Sequence, residues 1–273
     1  MRIILLDRNA LAYIRDWEWG TTGPDTKRYV SLRRLDRRSN LISPLFSLWE
    51  GRQGRKETEV EKRHAVEKDC VLIQRFFYRA RTDTRFIEEN IDSLPSILAQ
   101  GLEENFGRYE IVISKVQADL FQPLSKSAAI AYEQSLLSFA DSVGIQRTHP
   151  VVILSLALLY GSPIARKVIK PKRKIKDAEK AAYNALVDIM LVSRLSFLHT
   201  IEQESRQAGQ TLRFEFFTFD EGLEEYSKLI RLRKNSSKRI DETTYATTVD
   251  IPRELFPGLD EDEFFQLGNR ILQ

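Results

Sequence analysis

An α/β fold built on a parallel sheet is what this sequence predicts, and three observations carry the prediction. Arg2-Ile3-Ile4-Leu5-Leu6-Asp7 is a continuous apolar run closed by a carboxylate. Phe214-Glu215-Phe216-Phe217-Thr218-Phe219-Asp220 is a second run that also ends in an aspartate. Between and around them the pattern is mostly helical. Apolar runs without strict alternation fit strands covered on both faces, the signature of parallel sheets. In such sheets ligands bind at the carboxyl ends of the strands, where both aspartates fall.

Taken in order, residues 2–7 read as the first strand and Asn9 to Asp16 as a helix with Leu11, Ala12 and Ile14 apolar. Residues 17–40, with Gly20, Gly23, Pro24 and many arginines, read as a long polar connection. Ser43-Pro44 suits a helix start, serine at the N-cap and proline in the first turn. The helix so begun carries Leu45, Phe46, Leu48, Trp49 and Glu50. Residues 56–145 read as a helical insertion: a charged helix over 57–81 with Val60, His64, Val66, Val71, Ile73, Phe76 and Phe77 inward, then helices over 85–105 and 125–143. Tyr109 to Val116 and Val151 to Tyr160 fit either strand or helix. Asp177 is the N-cap expected for a long helix to about Ser205. Gly209 then breaks into the strand 213–219. A helix over 221–233, a strand over 244–251 and a short helix over 261–272 complete the chain. The expected organisation is one domain, with a sheet core over about 1–55 and 146–255.

Composition narrows the chemistry. The 273 residues are 42% hydrophobic and 30% charged, enough to bury a large core. One cysteine, Cys70, and three histidines argue against a disulfide scaffold and against thiolate or imidazole zinc sites. A metal would therefore be held by oxygen donors, which points to Mg²⁺ or Mn²⁺. The longest apolar run, Val151 to Tyr160, is too short to span a bilayer, and the N-terminus lacks a signal-peptide cleavage site, so the expectation is a cytoplasmic protein without a membrane partner. The net charge is only +3, but basic residues cluster. Arg166, Lys167, Lys170, Lys172, Arg173, Lys174 and Lys176 form the densest group. Arg33, Arg34, Arg37 and Arg38 form a second, and Arg231, Arg233, Lys234, Lys238 and Arg239 a third. Solvated surface is the ordinary reading of any one of them. Three beside an acidic site fit a polyanion.

Four acids stand out. Asp7 and Asp220 end strands, where each suits equally a helix cap or a ligand. Glu50 closes an apolar helical stretch. Asp188 sits among apolar residues, and its helical neighbours Asn184, Ala185, Leu191 and Val192 offer no cation along the helix. A buried carboxylate needs a partner or a metal. Asn184, one turn earlier, can donate to it, and an arginine from another segment would serve as well.

In their order and settings these acids resemble the PIN-domain nucleases. The resemblance covers about residues 1–52 and 177–225. It implies a three-layer PIN-like parallel sheet flanked by helices, with the large insertion as an addition. It implies that Asp7, Glu50, Asp188 and Asp220 form the catalytic, Mg²⁺- or Mn²⁺-binding quartet. Thr218 matches the hydroxyl residue two before the last acid, and Asn9 and Asn184 are supporting residues. The implied activity is metal-dependent cleavage of nucleic acid, RNA before DNA, with the basic loop 166–176 gripping the backbone. Carboxylates 4 Å apart repel by roughly 4 kcal/mol per pair at an effective dielectric near 20, so a cation is what would keep such a set ionised together.

The insertion has no counterpart in small members of that family. It is large enough to bind a regulatory protein, as in the effector of a toxin–antitoxin or anti-phage system. A non-catalytic PIN-like scaffold and a structure-specific DNase are the alternatives. A dehalogenase-like phosphatase would need an acid where Asn9 stands. A response-regulator receiver would need an early acidic pair. No glycine-rich phosphate loop is present. His64 and Cys70 lack a third partner for nucleophilic chemistry.

Overall fold

The computed structural model describes residues 1–21, 25–50, 55, 57–92, 105–231, 236–239, 245–248 and 251–272. It divides into two compact units, one of residues 1–100 and 194–224, the other of 101–193 and 225–273.

The first unit holds the sheet. Strands β1 (Arg2–Leu6), β2 (Asn40–Ser43), β3 (Arg81–Thr82) and β4 (Arg213–Phe217) are all parallel, in the order β3-β2-β1-β4. This is the α/β architecture expected, a four-stranded parallel sheet flanked by helices. Register sets Ile4 opposite Ile42 and Leu6 opposite Phe217. Helices α1 (Arg8–Glu18), α2 (Thr26–Arg33) and α4 (Glu59–Phe76) bury Ala10, Leu11, Ile14, Leu32, Ile73 and Phe76 in one cluster with Ile4, Leu6 and Ile42. Side chains alternate along a strand, so Phe216 points away from that cluster. It meets Phe46 of α3 (Leu45–Glu50), ring centroids 5.5 Å apart. Helix α5 (Thr84–Glu89) follows β3 and packs on α4.

Several expectations are corrected here. The stretch 17–40 is not an irregular connection. It contains α2, whose cap Asp25 accepts from the N–H groups of Lys27 and Arg28, and it delivers β2, one of the two inner strands. Few apolar residues mark α2, and β2 is only four residues long, so neither leaves a periodic signal. The block 56–145 is not a single insertion either. Its first part supplies α4, strand β3 and α5 to the sheet unit. On α4, Val66, Ile73, Phe76 and neighbouring Phe77 are buried as expected, but Val60 is 76% exposed and His64 and Val71 also face solvent. Gly23-Pro24, the second half of the helix expected over 85–105, Thr244, Val249, Asp250, and Arg233 and Lys234 of the third basic cluster lie outside the described residues.

The second unit is mainly helical. It comprises α6 (Phe106–Asp119), α7 (Lys126–Ser142), α8 (Pro150–Leu159), α9 (Pro163–Ile169), the beginning of α10 (Ala178–Gln207), the end of α11 (Glu221–Arg231), an antiparallel pair β5 (Ser236–Arg239) and β6 (Tyr245–Thr248), and α12 (Glu261–Leu272). The two ambiguous stretches, 109–116 and 151–160, are thus helical. Every residue from Val151 to Leu159 is buried, and α8 packs on α6, α7 and α9. A helix apolar all round is a core helix. Gly258 lies so close to the chain that a Cβ there would sit 2.7 Å from the Tyr160 carbonyl oxygen. Buried Glu133 of α7 holds α12 by accepting from Arg270, Nε at 2.5 Å, and also accepts the Tyr160 hydroxyl at 2.5 Å. No helix among the described residues is long and apolar enough to cross a membrane.

One buried acid organises the amino-terminal edge of the sheet. Asp36, 9% exposed, accepts from the backbone N–H groups of Tyr78, Arg79 and Ala80 at 3.2, 2.7 and 2.8 Å and pairs with Arg33 at 3.6 Å. Burial alone would raise its pKa, but the three N–H donors and Arg33 hold it below the usual carboxylate value. A depressed carboxylate stabilises the fold above its unfolded pKa and loses that contribution as pH falls through the folded one. Asp36→Ala is expected to cost about 2–4 kcal/mol at neutral pH by stripping these charge-assisted bonds. In urea melts the gap from wild type should narrow as the pH drops below about 4. An equal gap at pH 7 and pH 3 would contradict this account.

Candidate functional site

The site forms where β1 and β4 end. Leu6 lies opposite Phe217, so the next residues, Asp7 and Thr218, come side by side. Asp7 N–H donates to the Phe217 carbonyl at 3.2 Å, extending the pairing by one residue. The Asp7 side chain is fully buried and caps α1, accepting from Ala10 N–H at 2.8 Å. The Thr218 hydroxyl donates to Asp7 Oδ2, and Asn9 Nδ2 approaches the same oxygen at 3.4 Å. Thr218 Oγ1 also accepts from Asp220 N–H at 2.9 Å, and Asp220 Oδ1 caps α11 through Leu223 N–H at 3.0 Å. One hydroxyl therefore connects the two strand-ending aspartates. Both do cap helices, their ordinary structural role, and both still meet at one point.

The electrostatics are those of a like-charged pair. Burial pushes the Asp7 carboxyl up to about 6. The bonds from Thr218, Ala10 and Asn9 offset part of this, and the charge of Asp220 adds to it. Beside the pair opens a cavity of about 340 Å³ lined by Asn9, Ala12, Tyr13, Asp16, Phe219, Asp220 and Arg28. Arg28, from the first turn of α2, lies 5.2 Å from the Phe219 ring centroid, and Tyr13 meets the same ring edge-on at 5.7 Å. The cavity thus combines two wall carboxylates, a guanidinium and an aromatic ring.

Glu50 joins from α3. Its Oε2 accepts from the Arg8 backbone N–H at 2.8 Å, one residue after Asp7. The Arg8 side chain turns to buried Asp69 of α4 at 3.0 Å, and Asp69 also accepts from Ser47 Oγ at 3.0 Å. Asp83, following β3, is a further acid at a strand end. Burial raises its carboxyl to about 6, partly offset by a bond from Ser43, and its buried Oδ1 has no hydrogen-bond partner among the described residues.

Asp188, by contrast, belongs to the second unit, with exposed Asn184 one turn away. Its cation comes from another segment: Lys170 Nζ lies 3.3 Å from Oδ2. The basic loop is in the same unit. Arg166 donates to the Phe121 carbonyl and Lys167 pairs with Glu225, while Lys172, Arg173, Lys174 and Lys176 are exposed.

Asp16, Arg28, Asp69 and Asp83 were not singled out by sequence. Asn9, Ala12, Tyr13 and Asp16 follow the i, i+3, i+4, i+7 spacing of one helix face, which is the signal that could have shown the cavity wall. Val66, Asp69, Cys70 and Ile73 share that spacing on the buried face of α4. Asp83 follows a two-residue strand, too short to read.

A hard cation suits the donor set chemically. Asp7, Asp220 and Asp16 offer only oxygen. Among the described residues no three Asp, Glu, His or Cys groups gather into a ready-made metal site. Mg²⁺ commonly keeps several waters and binds through one or two carboxylates together with substrate phosphates, and a carboxylate pair is sufficient for that mode. Comparison of the chain with protein-family models, with curated proteins and with solved structures gives no match.

A carboxylate raised on folding contributes stability below its unfolded pKa, and that contribution is lost as pH rises through the folded value. Ionised Asp7 therefore weakens the fold above about pH 6. Asp7→Asn keeps a good N-cap and removes the charge. It is expected to be more stable than wild type at pH 8, by on the order of 2–3 kcal/mol at most, and to show little gain at pH 4. Thermal melts at both pH values check this, and a variant less stable at pH 8 would contradict it.

Proposed function

We propose that this protein is a divalent-metal-dependent phosphodiesterase acting on nucleic acid, with RNA the first substrate to test. The observation that carries the reading is the Thr218 hydroxyl joining buried Asp7 to Asp220 at the carboxyl end of a parallel sheet, beside an open cavity. Asp7 and Asp220 would hold Mg²⁺ or Mn²⁺, with Glu50 fixed one residue from Asp7 through the Arg8 N–H. When bound, the ion would neutralise the pair, lower the pKa of a water and polarise phosphoryl oxygens.

The chain's own groups then have defined tasks. Thr218 keeps Asp7 and Asp220 in register with each other. Asp16 adds negative charge on the cavity wall. Arg28, paired with Asp25 at 3.3 Å and lying over the Phe219 ring, offers a cation at the cavity wall for a phosphate. The elevated Asp7 carboxyl gives a proton-linked handle: metal binding must displace that proton, so affinity should rise with pH through about 6.

A scaffold without catalysis is the second reading. It is favoured by the fact that Asp7 and Asp220 both already serve as helix caps. The two readings separate in one assay. Full-length protein with Mn²⁺ is incubated with labelled single-stranded RNA and DNA, beside Asp7→Asn, Asp220→Asn and Asp188→Asn. The expected result is cleavage by wild type, reduced at least a hundredfold in the first two variants. Asp188→Asn decides whether the acidic quartet implied by the resemblance, or the pair in the sheet unit, carries the chemistry. Equal cleavage by all four proteins, or none by wild type, would overturn the nuclease reading.

A further inference from the structure

We infer that the amino-terminal edge of the sheet is a docking surface for single-stranded nucleic acid, built from the segments 33–38 and 75–81. The two segments read Arg-Arg-Leu-Asp-Arg-Arg and Arg-Phe-Phe-Tyr-Arg-Ala-Arg. They are far apart in sequence, and Asp36 joins them by accepting the backbone N–H groups of Tyr78, Arg79 and Ala80. Asp36 is the only acid in either segment, and it is buried beneath them. Around it Arg34, Arg37, Arg38, Arg75, Arg79 and Arg81 are all exposed. None of the six is held by a carboxylate among the described residues.

The centre of the surface is aromatic. Arg33 does not face solvent as freely as the others. Its guanidinium is packed among Tyr29, Phe76 and Tyr78, with centroids at 5.8, 5.1 and 4.9 Å, and it donates to the Phe76 carbonyl. Tyr78 rests on this cation and is 75% exposed. Arg33 thus supports one side of the ring and leaves the remainder of Tyr78 to solvent. Six exposed arginines in two joined segments, together with one supported, exposed ring, match what an unpaired strand presents: phosphates at intervals and bases with open faces. Proteins that bind such strands without reading sequence pair a cationic track with aromatic stacking positions. A folded duplex offers no free base face for Tyr78, and a lipid surface would leave it without a stacking partner.

The surface is separate from the cavity but belongs to the same unit. Helix α2 touches both: Arg28 lines the cavity and Arg33 underlies Tyr78, about 8 Å further along the helix axis. The inference rests on the nuclease reading only for the idea that the cavity cuts what this surface holds; binding itself requires no metal.

The test is fluorescence anisotropy with a labelled single-stranded RNA or DNA oligonucleotide and the full chain in EDTA. Wild type should bind with steep salt dependence. Arg34→Ala/Arg37→Ala/Arg38→Ala should weaken binding at least tenfold and reduce the magnitude of the log–log salt slope by about 2, at roughly 0.7 for each phosphate no longer neutralised. Arg79→Ala/Arg81→Ala, on the other segment, is an independent second variant. Tyr78→Ala should weaken binding about fivefold or more while leaving the salt slope unchanged, which separates stacking from charge. All these side chains are exposed, so melting temperatures should match wild type. Binding by wild type without cleavage in Mn²⁺ overturns only the nuclease reading. Unchanged affinity in both arginine variants would overturn the inference. So would binding abolished instead by Lys172→Ala/Arg173→Ala/Lys174→Ala, or capture by phosphatidylserine vesicles with no binding to the oligonucleotide.

Discussion

Parallel pairing of β1 with β4 is the constraint on which the site depends. With Leu6 opposite Phe217, the chain has no freedom over which residues meet next: Asp7 comes beside Thr218. A shift of one residue would turn every side chain to the other face. It would carry Ile4 and Leu6 out of the cluster they form with α1, α2 and α4. The apolar core therefore enforces the polar geometry. The Arg2–Glu215 ion pair at 2.5 Å supports the same register from the amino-terminal end.

Two buried aspartates in this unit show how differently the same side chain is treated. Asp36 receives three backbone N–H groups and the Arg33 guanidinium, and its ionised form is favoured. Asp7 receives Ala10 N–H, the Thr218 hydroxyl and a long contact from Asn9. It has no cation in its own bonding set, is more completely buried, and faces Asp220. Its ionised form is disfavoured. Asp36 is satisfied and connects two loops. Asp7 is held in a state that a divalent cation would relieve. Perturbed carboxylates of this kind concentrate at functional sites, although structural networks also produce them.

The sequence was legible where runs were long or boundaries chemically marked. The strands 2–6 and 213–217 and the helices 126–142, 178–207 and 261–272 lie close to their expected limits. Asp7, Thr218 and Asp220 come together because β1 and β4, first and last of the sheet strands in the chain, are neighbours in the sheet. What could not be read was carried by short elements. Strands β2 and β3 have four and two residues, and a run of that length holds no period. Without them the contribution of 59–89 to the sheet unit was invisible. The partner of Asp188 was also out of reach of the sequence. No cation lies one turn from it along its helix, and Lys170 reaches it from the end of α9, a contact set by tertiary packing alone.

The arginines around Tyr78 bear on the same lesson from the opposite side. Their cluster in 33–38 is plain in the sequence, yet its ordinary reading as solvated surface is correct for each residue taken singly. What changes the reading is Asp36. Its carboxylate, the only one within segments 33–38 and 75–81, is committed to the N–H groups of 78–80 and so joins three further arginines to the first cluster. Arg33 is withdrawn into an aromatic stack and supports Tyr78 from below. A buried structural bond thereby creates a surface of one sign with a ring at its centre. Like charges gathered this way repel, and all six side chains face solvent. A surface held at that electrostatic cost, in the unit that also carries the acidic cavity, is the arrangement a polyanionic partner would explain.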